Sequence, residues 1–168
     1  MKKDTELDAK TLLDLAIYAF LRLDGAWFIE TAAKFGVEAA TELDIKAWES
    51  FSERLGRKIA NTLNLQGNFH DEFLNVMKIQ NTVMNMKTEI IPVNENQFLF
   101  RTLDCEVWKM VSKKWTPETA PCYKVTQASI QGLLRGAFPG LKIEIVQKKM
   151  IPKGDPYCEV EITNKGNN

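Results

Sequence analysis

One histidine, three cysteines and equal numbers of acids and bases remove most of the chemistries a chain of 168 residues could advertise. Lysine and arginine total 22, as do aspartate and glutamate, so no net field draws in nucleic acid or an anionic membrane. The longest basic cluster, Lys148-Lys149 with Lys153, is too small to change that balance. Long apolar runs are missing as well. Leu12–Leu23, the most apolar early stretch, is broken by Asp14 and Arg22 and is too short to span a bilayer. The opening Met-Lys-Lys-Asp has no signal-peptide core. Three widely spaced cysteines do not make a secreted disulfide framework, so the expectation is a cytoplasmic protein with reduced thiols. There is no Gly-x-Ser-x-Gly elbow, phosphate loop, dinucleotide fingerprint, His-x-x-x-His or Cys-x-x-Cys. The lone His70 precedes Asp71 and Glu72, an arrangement that suits the dipole at a helix start better than a metal.

What is present is an ordinary globular composition, 45% hydrophobic and 26% charged, and enough chain for one domain with a substantial core. We expect a single domain over residues 1–168, with a helical half, 1–82, and a sheet half, 83–168. Leu13, Ala16, Ile17 and Phe20 set a helical stripe, which Asp24-Gly25 interrupts or kinks and Gly36 stops. A helix capped by Asp44 carries Ile45, Trp48, Ser52, Leu55, Ile59 and Leu63, and another covers His70–Gln80. Beyond residue 83 the pattern changes to β-branched and aromatic residues. Strands are expected at Met86–Val93 and Gln97–Val111 about an Asn94-Glu95-Asn96 turn, and again at Lys142–Ile151 and Tyr157–Thr163. A loop at Thr116–Pro121 leads to a helix from near Cys122 to just before Pro139-Gly140, in which Gly132-x-x-x-Gly136 permits close packing. Cys158, Val160 and Ile162 alternate with Glu159 and Glu161, one face buried and the other wet. Helices followed by β-β-α-β-β predict an α+β fold with an antiparallel sheet.

Two groups of residues carry the functional expectation. Cys122 follows Pro121 at a helix N-terminus, where free amides and the dipole lower a thiol pKa. Cys105 and Cys158 fall on inward strand faces, where a small buried residue is the commoner explanation. The second strand places Phe98, Phe100, Trp108 and Met110 on one face together with Asp104 and Glu106. Aromatic stripes are usually core, but two carboxylates facing inward require partners or a polar cavity.

Several segments also resemble known families. Leu23-Asp-Gly-Ala-Trp-Phe-Ile29, Lys34-Phe-Gly36, Glu42-Leu-Asp44 and Trp48 resemble the N-terminal signature of an uncharacterised prokaryotic family common in anaerobes. Cys105-Glu-Val-Trp108, Ala120-Pro-Cys-Tyr123 and Cys158 are similar to its later cysteine segments. The helix after Cys122 and the Gly154-Asp-Pro-Tyr-Cys158 ending resemble, more distantly, the 4-vinyl reductase domain. That likeness implies a small-molecule-binding α+β fold, often dimeric and Bet3-like in shape. It extends to sensor domains of phenol-responsive regulators and to aminothiazoline-carboxylate hydrolases. The sensor domains hold zinc with three cysteines and a glutamate. Cys122 and Cys158 match the first and last cysteines, but Gln147 and Met150 stand at the middle positions and are poor zinc ligands. The resemblance therefore implies a lost metal, unless Cys105 or Glu144 substitutes, and no cofactor is expected. Three readings stay open: a module for a small hydrophobic ligand lined by Cys105, Cys122, Cys158, Phe100, Asp104, Glu106, Trp108 and Met110; a small-molecule hydrolase using Cys122; and a homodimeric assembly module without ligand.

Overall fold

The computed structural model describes residues 7–112 and 122–167, without the side chains of Met110, Val111 and Asn167. The expected loop Thr116–Pro121 lies outside the described residues. The chain falls into two compact units, Met1–Ala40 and Thr41–Asn168.

The first unit is dominated by helix α1, Ala9–Phe35. Asp8 caps it, its carboxylate accepting from the Thr11 amide at 2.9 Å and the Thr11 hydroxyl at 2.8 Å. Gly36 ends it at φ 89°, a conformation that disfavours any residue with a Cβ. Asp24-Gly25 does not interrupt the helix, contrary to expectation. One glycine costs about 1 kcal/mol in a helix interior, too little to break 27 residues with a firm cap at each end. Helix α2, Val37–Leu63, follows directly. It starts well before the expected cap at Asp44, because Gly36 already supplies the break and Val-Glu-Ala-Ala-Thr-Glu-Leu continues readily as helix.

In the second unit α2 is followed by α3, Phe69–Val83, capped by Asn68. Four strands form one antiparallel sheet: β1, Lys87–Asn94; β2, Gln97–Asp104; β3, Leu141–Lys149; and β4, Cys158–Asn167. Their spatial order is β1-β2-β4-β3, so Pro92 sits on an edge strand, where its missing N–H costs no central ladder bond. Between β2 and β3 come a short helix α4, Glu106–Val111, and the longer α5, Cys122–Ala137. The α+β class and the β-β-α-β-β order match the sequence expectation, with α4 added.

The core lies between the sheet and the helices. Phe98, Phe100, Val160, Ile162, Ile143 and Ile145 project from the sheet to meet Phe69, Phe73, Val76 and Met77 of α3 and Ile130, Leu133, Leu134 and Ala137 of α5. The rings of Phe73 and Phe98 stack at 4.2 Å. Helix α2 crosses α5 at glycines. A Cβ at Gly56 would overlap the Leu133 carbonyl oxygen, one at Gly132 that of Glu49, and one at Gly136 that of Glu53. Backbones this close leave room for a buried Ser52–Ser129 hydroxyl hydrogen bond of 2.9 Å. Arg135 closes the rim on Glu49 at 2.7 Å and Glu53 at 2.5 Å.

Two strand expectations need correction. The second strand stops at Asp104, not Val111. Cys105 caps α4, its sulfur accepting from the Trp108 amide at 3.4 Å, and Lys109 reaches back to Asp104 and Glu106. These local bonds override the β propensity of Val107, Trp108 and Val111. Glu159 is not wet. It is only 7% exposed, because Arg101 on the neighbouring strand takes its carboxylate at 2.6 Å while lying over the Tyr157 ring.

Candidate functional site

The inner face of the sheet changes character along its length. At one end it presents Phe98 and Ile162, paired in register. At the other, Thr88 of β1 lies opposite Thr102 of β2, and Thr102 opposite Cys158 of β4. Directly opposed residues share a face, so these three side chains form a polar and sulfur row across the sheet. Cys105 lies three residues beyond Thr102, and Cys122 opens α5. The charge on either Cys105 or Cys158 is felt at Cys122, which sets all three thiols about one end of the core.

The closing turn explains how Cys158 is held. Gly154 takes a left-handed conformation at φ 92°. The Asp155 carboxylate then accepts from the Met150 amide at 2.7 Å, and the Cys158 sulfur accepts from the Ile151 amide at 3.3 Å. Met150 is buried beside this turn. Cys105 and Cys158 thus both receive a backbone N–H, and all three cysteines are free and half-buried.

Burial raises all three thiols, and Cys122 is pushed up to about 11, first by desolvation and then by the neighbouring Cys105 and Cys158. The expected lowering at a helix N-terminus is therefore overturned: the cost of a thiolate out of water, among other sulfurs, exceeds what the first-turn amides return. At neutral pH Cys122 is a protonated thiol, ill suited to nucleophilic attack.

The other candidates are dispersed. Phe100 is 3% exposed and packs within the core with Phe98. Asp104 and Glu106 do not face the core. Both are about half exposed and grip Lys109 at 2.6 and 2.8 Å, which lowers the Asp104 pKa and raises that of Lys109. The turn into α4 carries Glu106 and Trp108 off the strand face, leaving Trp108 half-buried, and the Met110 side chain lies outside the description. His70 pairs with Asp71 at 3.0 Å and leans on Phe98, as a helix-start residue should.

Sequence reasoning missed Gln80 and Asn81. They continue the buried stripe of Phe73, Val76 and Met77 at helical spacing, and polar residues at such positions were the available signal. Asn81 donates its amide to the Thr88 hydroxyl at 2.6 Å, tying α3 to the polar row. Gln80 Oε1 and Asn81 Oδ1 are buried with no hydrogen-bond partner.

The zinc set implied by the resemblance does not fit this chain. Gln147 donates its amide to the Lys149 and Glu159 carbonyls, and Glu144 is held by Lys165 at 2.8 Å. Among the described residues no three His, Cys, Asp or Glu stand together as a metal site. No described helix is long and apolar enough to cross a membrane.

A family model, "Family of unknown function (DUF6125)", matches residues 3–163. The chain belongs to that family. No curated protein matches it. Among solved structures, the DUF6125 chain is similar to a trafficking protein particle complex subunit 3 from Naegleria fowleri, described as covalently bound to palmitic acid. The identity is 14%, the match covers 94% of this chain and 98% of that one, and the TM-score is 0.61. This establishes a Bet3-like fold. A structure from the H-NOX family, at 12% identity over all of this chain and 78% of that one, has a TM-score of 0.46 and carries no argument.

Proposed function

We propose that this DUF6125 domain binds a small, largely apolar molecule at the sulfur end of its core. The observation that carries the reading is the gathering of Cys105, Cys122, Cys158 and Thr102 where the buried sheet face meets the start of α5. Half-buried thiols, neutral at physiological pH, behave as soft, weakly polar contacts for an apolar guest. The palmitic acid held by the Naegleria fowleri protein of the same fold supports this ligand class, as does the resemblance to the 4-vinyl reductase domain. Reaction at Cys122 is the weaker reading, because its thiol is raised rather than lowered. The test is native mass spectrometry of the gently purified protein, followed by titration with a twelve-carbon ester, methyl dodecanoate. A noncovalent adduct lost on denaturation, or saturable ester binding weakened by Cys122→Trp, is the expected result. Failure to find either overturns the proposal.

A second reading concerns assembly, and a separate observation favours it. Helix α1 exposes many large apolar side chains, and Leu12, Leu15, Tyr18, Leu23, Trp27, Ile29 and Phe35 are all more than half exposed. So many large apolar side chains left exposed on one helix mark an interaction surface. We take homodimerisation through α1 as the accompanying state of a cytoplasmic protein.

A further inference from the structure

Among the described residues, two buried side-chain oxygens have no hydrogen-bond partner. Gln80 is 4% exposed and Asn81 is 8% exposed, and each leaves a buried amide oxygen without a donor. They are consecutive residues on the last turns of α3. The Thr88 hydroxyl, by taking the Asn81 Nδ2, commits the opposite end of that amide to point elsewhere. Because Thr88 stands in the row with Thr102 and Cys158, Asn81 belongs to the same end of the core.

Buried acceptors without donors are costly, and native proteins leave few of them. Two on adjacent residues, one of them tied to the polar row through Thr88, form a recognition element lacking its complement. We infer that Gln80 and Asn81 recognise the polar head of the bound molecule, and that this head is a neutral hydrogen-bond donor such as a primary amide. The inference rests on the apolar-ligand reading and specifies its ligand. A carboxylate head is the poorer match to the two carbonyl oxygens, since it offers only acceptors. An ammonium head is a poorer match too. It would need an anion beside it, and the nearby carboxylates of Asp104 and Glu106 are already engaged by Lys109 at the surface.

The experiment compares three probes of equal chain length by calorimetry on the full chain: dodecanamide, methyl dodecanoate and dodecanoate. Dodecanamide is expected to bind about tenfold or more tightly than either of the others, because only it supplies N–H donors to buried oxygens. Gln80→Met has a similar shape without the oxygen. It should keep the affinity for the ester, raise the melting temperature, and reduce the amide preference severalfold. Equal affinity for amide and ester overturns the inference while leaving the apolar-ligand reading intact. So does a Gln80→Met variant that melts higher yet keeps the full amide preference, which would identify a buried water as the usual partner. If none of the three probes binds, the apolar-ligand reading itself fails.

Discussion

At the scale of single residues, the thiols are the most testable groups. Below pH 9 the thiolate fraction falls tenfold for each unit of pKa, so a shift from 9.0 to about 11 leaves native Cys122 about 100-fold less reactive than an unfolded cysteine. Iodoacetamide labelling at pH 8, read by mass spectrometry with and without denaturant, should recover a difference of that order. The same shift sets a pH dependence. The folded state holds the Cys122 proton more tightly than the unfolded state, so its contribution to stability is complete below pH 9 and is lost as pH rises toward 11. Chemical denaturation between pH 8 and 11 should show this decline, and Cys122→Ala should reduce it. Glu159 presents the opposite problem, a buried carboxylate whose ion pair is with Arg101. Arg101→Ala strands that charge and should lower stability, whereas Arg101→Ala with Glu159→Gln should recover part of the loss. Denaturant midpoints of the two variants decide it.

At the scale of elements, the crossing of α2 and α5 depends on glycine more strictly than any turn in the second unit. Gly132→Ala places a methyl against the Glu49 carbonyl and should destabilise by about 3 kcal/mol, since two backbones must move apart to admit it. Gly25→Ala is the internal control. Nothing lies within 4 Å of a Cβ there, so the substitution should stabilise by up to about 1 kcal/mol through helix propensity alone. Thermal melts of the two variants should move in opposite directions. The close-packing role of Gly132-x-x-x-Gly136 was legible in the sequence, but its partner surface was not, because nothing in a one-dimensional pattern pairs Gly56 with Leu133. The end of β2 was misread for a related reason. Residues 105–111 alternate like a strand and have strand-forming side chains. Their fate was decided by short-range capping through the Cys105 sulfur and the Lys109 bridge.

At the scale of the whole molecule, the exposed apolar side chains of α1 bear on assembly. Sedimentation equilibrium at micromolar concentration is expected to return twice the monomer mass, and Trp27→Lys with Leu23→Lys should return it to one. A monomer at every concentration removes the dimer from the proposal. What the sequence by itself determined is the architecture: periodicity and turn residues placed the end of α1 at Gly36, α3, α5 and the four strands apart from the far end of β2, because those signals act within a few residues of one another. Membership of the same chemical site was another matter. The three cysteines and Thr102 come from four different segments, and Asn81 from a fifth. Only strand register and the packing of α3 and α5 decided which of them meet, and only burial decided that Cys122 would keep its proton.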